Sequence, residues 1–179
     1  MTILKDRQPE NLNDLQTNKF IVVFDRIPTV AFKCVRVNLP GVSADSPDHI
    51  TPSRDAPLPG TKFTYDMFTM DFIVDEDLKN WLEIYRWINH YTGAQVPTDY
   101  QKLRRERAIG DVRPQYSSCS LQIKTDLNHP NICVDFNLMF PVKLSGIQFD
   151  STITDISPIV ATATFGYTDY DISFVGKPK

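Results

Sequence analysis

The sequence predicts a mainly β (α+β) protein, an antiparallel β-sandwich or barrel of about seven strands with one principal flanking α-helix. Three observations predict it. Short runs of β-branched and aromatic residues alternate with polar ones along most of the chain, one segment near the middle has a helical apolar stripe, and two long polar stretches, 39–62 and 94–116, separate the runs. With 179 residues, 41% hydrophobic and 23% charged, the chain is long enough for one domain with a substantial core and short for two. The expected organisation is an N-terminal arm, 1–17, followed by a single domain, 18–179.

The arm is polar and aperiodic, with Pro9 and several Asn and Asp residues, so it has no core of its own. From Lys19, Phe20, Val22 and Phe24 alternate with Ile21, Val23 and Asp25. Ile27-Pro28-Thr29 then reads as a turn and Val30 to Val37 as a β-branched return strand, which together predict a β-hairpin. Residues 39–62 have five prolines, two glycines and no core periodicity. They are expected to form a long loop, and a loop of that length in a compact domain is usually functional.

Phe63 to Val74 reads as a strand whose phase changes between Met67 and Phe68, which predicts a bulge or a crossing between faces. The helix is expected over 75–92, with Asp75 as N-cap, Glu76 and Asp77 complementing the helix dipole, and Gly93 as the stop. Leu78, Trp81, Leu82, Tyr85, Ile88 and Tyr91 form its apolar stripe. Trp87 lies off that stripe, in a position that would mark an interface. Later strands are expected at Ser117–Lys124, Ile132–Phe140, Ile159–Tyr167 and Tyr170–Phe174, with a turn over Asn128–Asn131.

Composition and motifs narrow the chemistry. The net charge of −3 gives no reason to expect tight nucleic-acid binding, which depends on basic side chains displacing phosphate counterions. No run approaches the roughly 18 to 20 apolar residues of a membrane span, and the start has no apolar signal core, so a soluble protein made in the cytoplasm is expected. The three cysteines, Cys34, Cys119 and Cys133, are widely spaced in apolar surroundings and read as small buried hydrophobes.

The seven glycines never take a phosphate-loop spacing. His49, His90 and His129 lie too far apart for a local metal motif, and His90 suits a helix C-terminus. No Ser, Cys and His set has a hydrolase signature. No catalytic, cofactor-binding or metal-ligating residue is therefore expected, and no cofactor. Within 94–116 the KLRRER run includes Lys102, Arg104, Arg105 and Arg107; it reads first as a solvated basic face, then as a salt-bridging contact with an adjacent subunit, and last as a DNA contact.

The order of features resembles a known family. A β-hairpin ending in LPG (Leu39 to Gly41), a long Pro-rich loop, a strand running into FIVDEDLKNWLEIYRWI (Phe72 to Ile88), and a late β-region are together similar to the tail-tube fold. That fold is shared by the tube, tube-initiator and tail-completion proteins of contractile-tailed bacteriophages, and is related to the type VI secretion tube. VDEDLKNW, Val74 to Trp81, followed by YRW, Tyr85 to Trp87, looks most like the tail-completion, or tube-terminator, proteins of large myoviruses. The resemblance covers Phe20 to Ile88 closely and Ile132 to Ile172 by pattern, while 94–116 matches nothing.

The resemblance implies a non-enzymatic virion protein that forms a ring, a hexamer in this family. Its partners would be further copies of itself, the tail tube, and sheath-terminator or neck proteins, with DNA passing non-specifically through the lumen and no membrane involved. It assigns Val42, Pro47, Asp48, His49, Ile50, Arg54 and Pro57 of the long loop to contacts between subunits or rings. Trp87, Lys102, Arg104, Arg105 and Arg107 complete the expected interface set. The alternatives are the major tube subunit, the baseplate-proximal initiator, and a β-sandwich enzyme or ligand-binding module, which would show a deep polar pocket.

Overall fold

The structure is a computed structural model, which describes residues 13–50, 55–92, 115–152 and 157–175. Among these it contains eleven strands and two helices. They are β1 (Phe20–Phe24), α1 (Pro28–Phe32), β2 (Cys34–Val37), β3 (Val42–Ala44), β4 (Asp48–Ile50), β5 (Asp55–Pro57), β6 (Phe63–Tyr65), β7 (Phe68–Ile73), α2 (Lys79–Thr92), β8 (Ser117–Lys124), β9 (Pro130–Leu144), β10 (Val160–Gly166) and β11 (Asp169–Phe174). Seven strands form the principal sheet, in the order β1-β8-β9-β10-β7-β2 with β11 also paired to β9. β3-β6 and β4-β5 are separate two-stranded ribbons. The expected mainly antiparallel β fold is the one observed.

The sheet folds over on itself because β9 belongs to two layers. Its first part pairs with β8 on one side and β11 on the other, and its last residues pair with β10. The switch lies at Asn137-Leu138, where Ser117 and Cys119 of β8 face Met139 and Phe136, so β9 has one residue in excess. Leu138 takes up that excess in the left-handed region, at φ 52°. The bulge reverses the burial parity, from Val134 and Phe136 before it to Met139 and Pro141 after it. One strand can thus point its apolar side into the same core from both layers.

In the first layer, β1-β8-β9-β11, side chains line up in straight rows. Phe20, Ile123, Ile132 and Phe174 form one inward row; Val22, Leu121, Val134 and Ile172 form the next; Phe24, Cys119, Phe136 and Tyr170 form the third. The core between the layers is an aromatic cluster. Phe68 of β7 meets Phe136 at 4.9 Å between ring centroids, and Phe24 of β1 meets Phe165 of β10 at 5.2 Å. Two further contacts, Phe24 to Phe68 and Phe68 to Phe165, close the set.

Three sequence expectations are corrected. The predicted hairpin over Phe20–Val37 is not one, since β1 pairs with β8, β2 pairs with β7, and α1 links them. Pro28 opens that helix, where its fixed φ and missing N–H cost nothing, and Ile27 and Val30 turn into the core. The described residues of this stretch, 39–50 and 55–62, do not form an irregular loop. β3, β4 and β5 make them, with β6, into a ribbon-like arm. The helix starts at Lys79, with no acidic residue in its first turn. Asp75 is ion-paired with Lys33 instead of capping, and Leu78, at φ 57°, supplies the carbonyl that accepts the first helical bond, from Leu82 N at 2.9 Å.

The later start rotates the helix. Its buried face is Asn80, Ile84 and Trp87, flanked by Trp81, Ile88 and Tyr91. Tyr85, expected in the stripe, is exposed, although it stacks on Trp81 at 5.4 Å. Asn80 is fully buried and ties the helix to β7. Its Nδ2 donates to Ile73 O at 2.7 Å, and its Oδ1 accepts from Asp75 N at 3.1 Å and Trp81 N at 2.8 Å.

The phase change at Met67-Phe68 is a crossing between sheets: Phe63–Tyr65 belongs to the arm and Phe68–Ile73 to the principal sheet. The strand expected at Ser117–Lys124 has those bounds, and the strand expected at Ile132–Phe140 extends at both ends. Gly93 lies outside the described residues.

Candidate assembly interface

Among the described residues, each layer ends in strands with an edge that no other strand pairs. In the first layer these are β1 and β11, and in the second β2 is one of them. Exposed strand edges invite pairing with another chain, and side chains around them indicate whether pairing is blocked or prepared. Here they are apolar. Ile21 and Val23 of β1 and Val35 of β2 are exposed, and Phe32 at the end of α1 has 89% of its surface open to solvent. Between the β1 and β2 edges lies a groove of about 440 Å³, lined by Phe20 to Phe24, Pro28, Ala31, Phe32 and Cys34. At the opposite end of the first layer, Ile172, Phe174 and Val175 are 43%, 55% and 52% exposed.

The arm presents a second surface. Val42, Leu58, Phe63 and Met67 are exposed along it, as are Pro47, Asp48 and Pro57. Two-stranded ribbons are marginal in water by themselves, and this one is rooted by specific contacts. Asn38 brackets the crossing, with its Nδ2 donating to Met67 O at 3.2 Å and its Oδ1 accepting from Thr69 N at 2.5 Å. Tyr65 packs between Tyr167 and Tyr170, at 5.7 and 5.3 Å. The Tyr167 hydroxyl donates to Asp66 O at 2.8 Å. Burial, with Tyr170, Tyr65 and Asp66 close by, pushes Tyr167 up to about 12. Further out, Gly60 N donates to Asp45 O at 2.8 Å, and a Cβ at Gly60 would lie 2.3 Å from that oxygen, so only glycine fits.

The outward face of the first layer is polar. One row is Val23, Ser120, Asp135 and Asp171, and the next is Ile21, Gln122, Cys133 and Ser173. The Asp135 carboxylate accepts from Ser120 Oγ at 2.5 Å and from Cys133 Sγ at 3.4 Å. Burial is the first cause that pushes the Cys133 thiol up, followed by its bond to Asp135; burial alone dominates for Cys34, which is pushed up to about 11, and for the buried Cys119. Cys34 and Cys133 are half-buried rather than core residues, and all three thiols are free.

The structure separates the expected interface residues into three groups. Val42, Pro47, Asp48 and Pro57 lie exposed on the arm; His49 and Ile50 lie in β4. Trp87 is a correction: it is buried, its Nε1 donates to Gln115 O at 3.0 Å, and its ring packs on Phe165. The Arg26 guanidinium lies over the ring, 5.1 Å from its centroid. Arg54, Lys102, Arg104, Arg105 and Arg107 lie outside the described residues. Sequence reasoning missed Phe32, Ile172 and Phe174, which read as ordinary alternating strand residues; Phe32 is exposed at the end of α1, and Ile172 and Phe174 because β11 is the end strand of its layer.

Among the described residues no three His, Cys, Asp or Glu side chains converge as a metal set, and no helix is long and apolar enough to cross a membrane. A second cleft of about 310 Å³, lined by Arg26, Ile27, Glu83, Arg86, Trp87 and His90, lies between α2 and the start of α1, where Thr29 donates to Glu83.

Two strand edges and a rooted arm on a two-layer sheet are the features with which the comparisons can be set. The chain has the tail-tube fold of contractile injection systems. It superposes on a chain of the anti-feeding prophage tube-terminating cap with a TM-score of 0.62, at 14% identity over 98% of this chain and 100% of that one. A chain of the same prophage's baseplate gives 0.59, at 14% identity over 93% and 100%. A chain of the sheath/tube terminator of an extracellular contractile injection system gives 0.57, at 16% identity over 90% and 97%. In sequence the chain resembles the tail tube terminator protein of Enterobacteria phage T4, 27% identical over 177 residues and 92% of each chain. No family model matches.

Proposed function

We propose that the chain is a structural subunit that ends the tube of a contractile tail. Copies close into a ring, six in number by the family resemblance. The ring seats on the last ring of the tube, stops further addition, and offers its far surface to sheath-terminating or neck proteins. DNA passes through the lumen, and the protein catalyses no reaction. It acts in the virion tail after assembly in the host cytoplasm. The assembling unit is the domain 18–179, with 1–17 as an arm.

The observation that carries this reading is the sequence likeness to a T4 tail tube terminator along nearly the whole of both chains. Fold likeness extends to a baseplate chain as well, so it does not choose among terminator, tube and initiator by itself. The exposed arm residues Val42, Pro47, Asp48 and Pro57, with His49, Ile50 and Arg54, supply the contacts between rings or subunits in this reading. The basic residues Lys102, Arg104, Arg105 and Arg107 supply a salt-bridging surface. A heterologous contact that closes makes a ring, and stacking surfaces on both faces would make a filament.

Negative-stain electron microscopy of the purified protein over a wide concentration range, with light scattering for mass, tests the reading. Discrete rings that never elongate are expected. Long hollow tubes would make this the tube subunit instead.

A further inference from the structure

The cleft between α1 and α2 shares no residue with the arm or with the groove beside β1, and its walls are charged. Glu83, Arg86, Trp87 and His90 fall at i, i+3, i+4 and i+7 of α2, so they lie along one face of that helix. Arg26 and Ile27 close the other side, where the chain turns into α1. Contacts across the junction hold these walls in place. The Thr29 hydroxyl donates to Glu83, and the Arg26 guanidinium lies over the Trp87 ring. That ring is itself fixed by Gln115 O and by Phe165. Side chains already restrained lose little further entropy when they bind.

The charges select the ligand. Two guanidiniums, of Arg26 and Arg86, stand against one carboxylate, that of Glu83, so the cleft has a formal excess of one positive charge in a chain whose net charge is −3. Burial lowers the Arg26 pKa, a sign that its guanidinium is partly stripped of water, where its attraction for an anion is less screened. A guanidinium offers five N–H donors in a planar fork, more than a ring contact uses, and the fork matches a carboxylate. The cleft, about 310 Å³, is at the small end of the range for ligand sites, with room for a side chain or two and not for the backbone of a duplex. Glu83 inside it and the acidic chain around it disfavour a polyphosphate.

We propose that this cleft receives an acidic segment of a partner protein, an Asp or Glu side chain seated between Arg26 and Arg86 above Ile27 and Trp87. This rests on the reading of a ring that offers one surface to other proteins, and it adds the chemistry of that contact.

Fluorescence anisotropy with a fluorescein-labelled hexaglutamate peptide, on dilute, unassembled protein at low ionic strength, tests it. Saturable binding is expected. Arg86→Glu, at an exposed position, should weaken it about tenfold without changing the far-UV circular dichroism spectrum. Glu83→Gln, which keeps an acceptor for Thr29 and removes the opposing charge, should tighten it about threefold. Lys143→Glu, the same charge reversal on an exposed residue of β9, should leave it unchanged. A peptide that does not bind, or a loss in Lys143→Glu equal to that in Arg86→Glu, would overturn the site. Displacement of the peptide by inorganic phosphate or a short DNA duplex more readily than by unlabelled peptide would overturn it in favour of a phosphate ligand. Rings lost in Arg86→Glu but present in the parent, by electron microscopy, would assign the cleft to contacts between copies and leave the ring reading standing. Peptide binding with these variant effects in a protein that never forms rings would remove the ring reading and keep the acidic-segment site.

Discussion

Asn80 and Trp87 show how single side chains decide what is structural in this protein. Asn80 satisfies a buried carbonyl and two backbone N–H groups where β7 passes into α2. Substituting Asn80→Ala strands those groups, and a loss of about 2–3 kcal/mol is expected in chemical denaturation. Trp87→Ala should cost about 3–5 kcal/mol, the usual range for a large buried aromatic, and that loss should appear in dilute, unassembled protein. A loss seen only on assembly would return Trp87 to the interface. Tyr167 gives the pH dependence. Its folded value, about 12, lies above the ordinary 10.0, so the stabilisation it contributes is whole below pH 10 and disappears as pH rises through 12. Ultraviolet titration of phenolate absorbance, with Tyr167→Phe as reference, should place Tyr167 among the last tyrosines to ionise. The arm should loosen over the same range.

At the scale of elements, helix α1, strand β9 and the arm depart from what local pattern predicts. Pro28 reads equally as a turn residue or a helix start, and the second outcome prevails because Ile27 and Val30 are buried by it. In β9, the Leu138 bulge lets one strand serve two layers. Leu138→Val should cost about 1–2 kcal/mol because a β-branched residue resists the left-handed region, whereas Leu138→Gly should not. Thermal melts of the two variants distinguish this from a packing role. The arm is rooted through Tyr65, Tyr167 and Asn38, while its outer residues leave apolar surface exposed. Val42→Asp is therefore expected to leave the melting temperature of dilute protein within a degree or two and to weaken assembly, as read by light scattering.

For the whole molecule, the issue is what a two-layer sheet does with the strand edges that no described strand pairs. Natural sheets commonly blunt such edges with charge, proline or bulges. β1 and β11 instead have apolar residues beside them. Much of this protein was legible in the sequence: the mainly antiparallel β class, the single principal helix, the strands β8 and β11, and the likeness to tube-terminating proteins carried by Val74 to Trp87. These depend on alternation, composition and short motifs, which are local. The hairpin, the helix phase and the role of Trp87 were misread because each depends on distant partners. β1 and β2 separate because β8 and β7 offer longer ladders, and Asn80 reads as a polar surface residue until Ile73 and Asp75 are seen to need it. The sequence by itself determined which residues are apolar, where strands alternate and which family order they follow. Only the tertiary structure decided which strands lie at the edges, because being an edge is a matter of which neighbours are absent, and no residue encodes that alone.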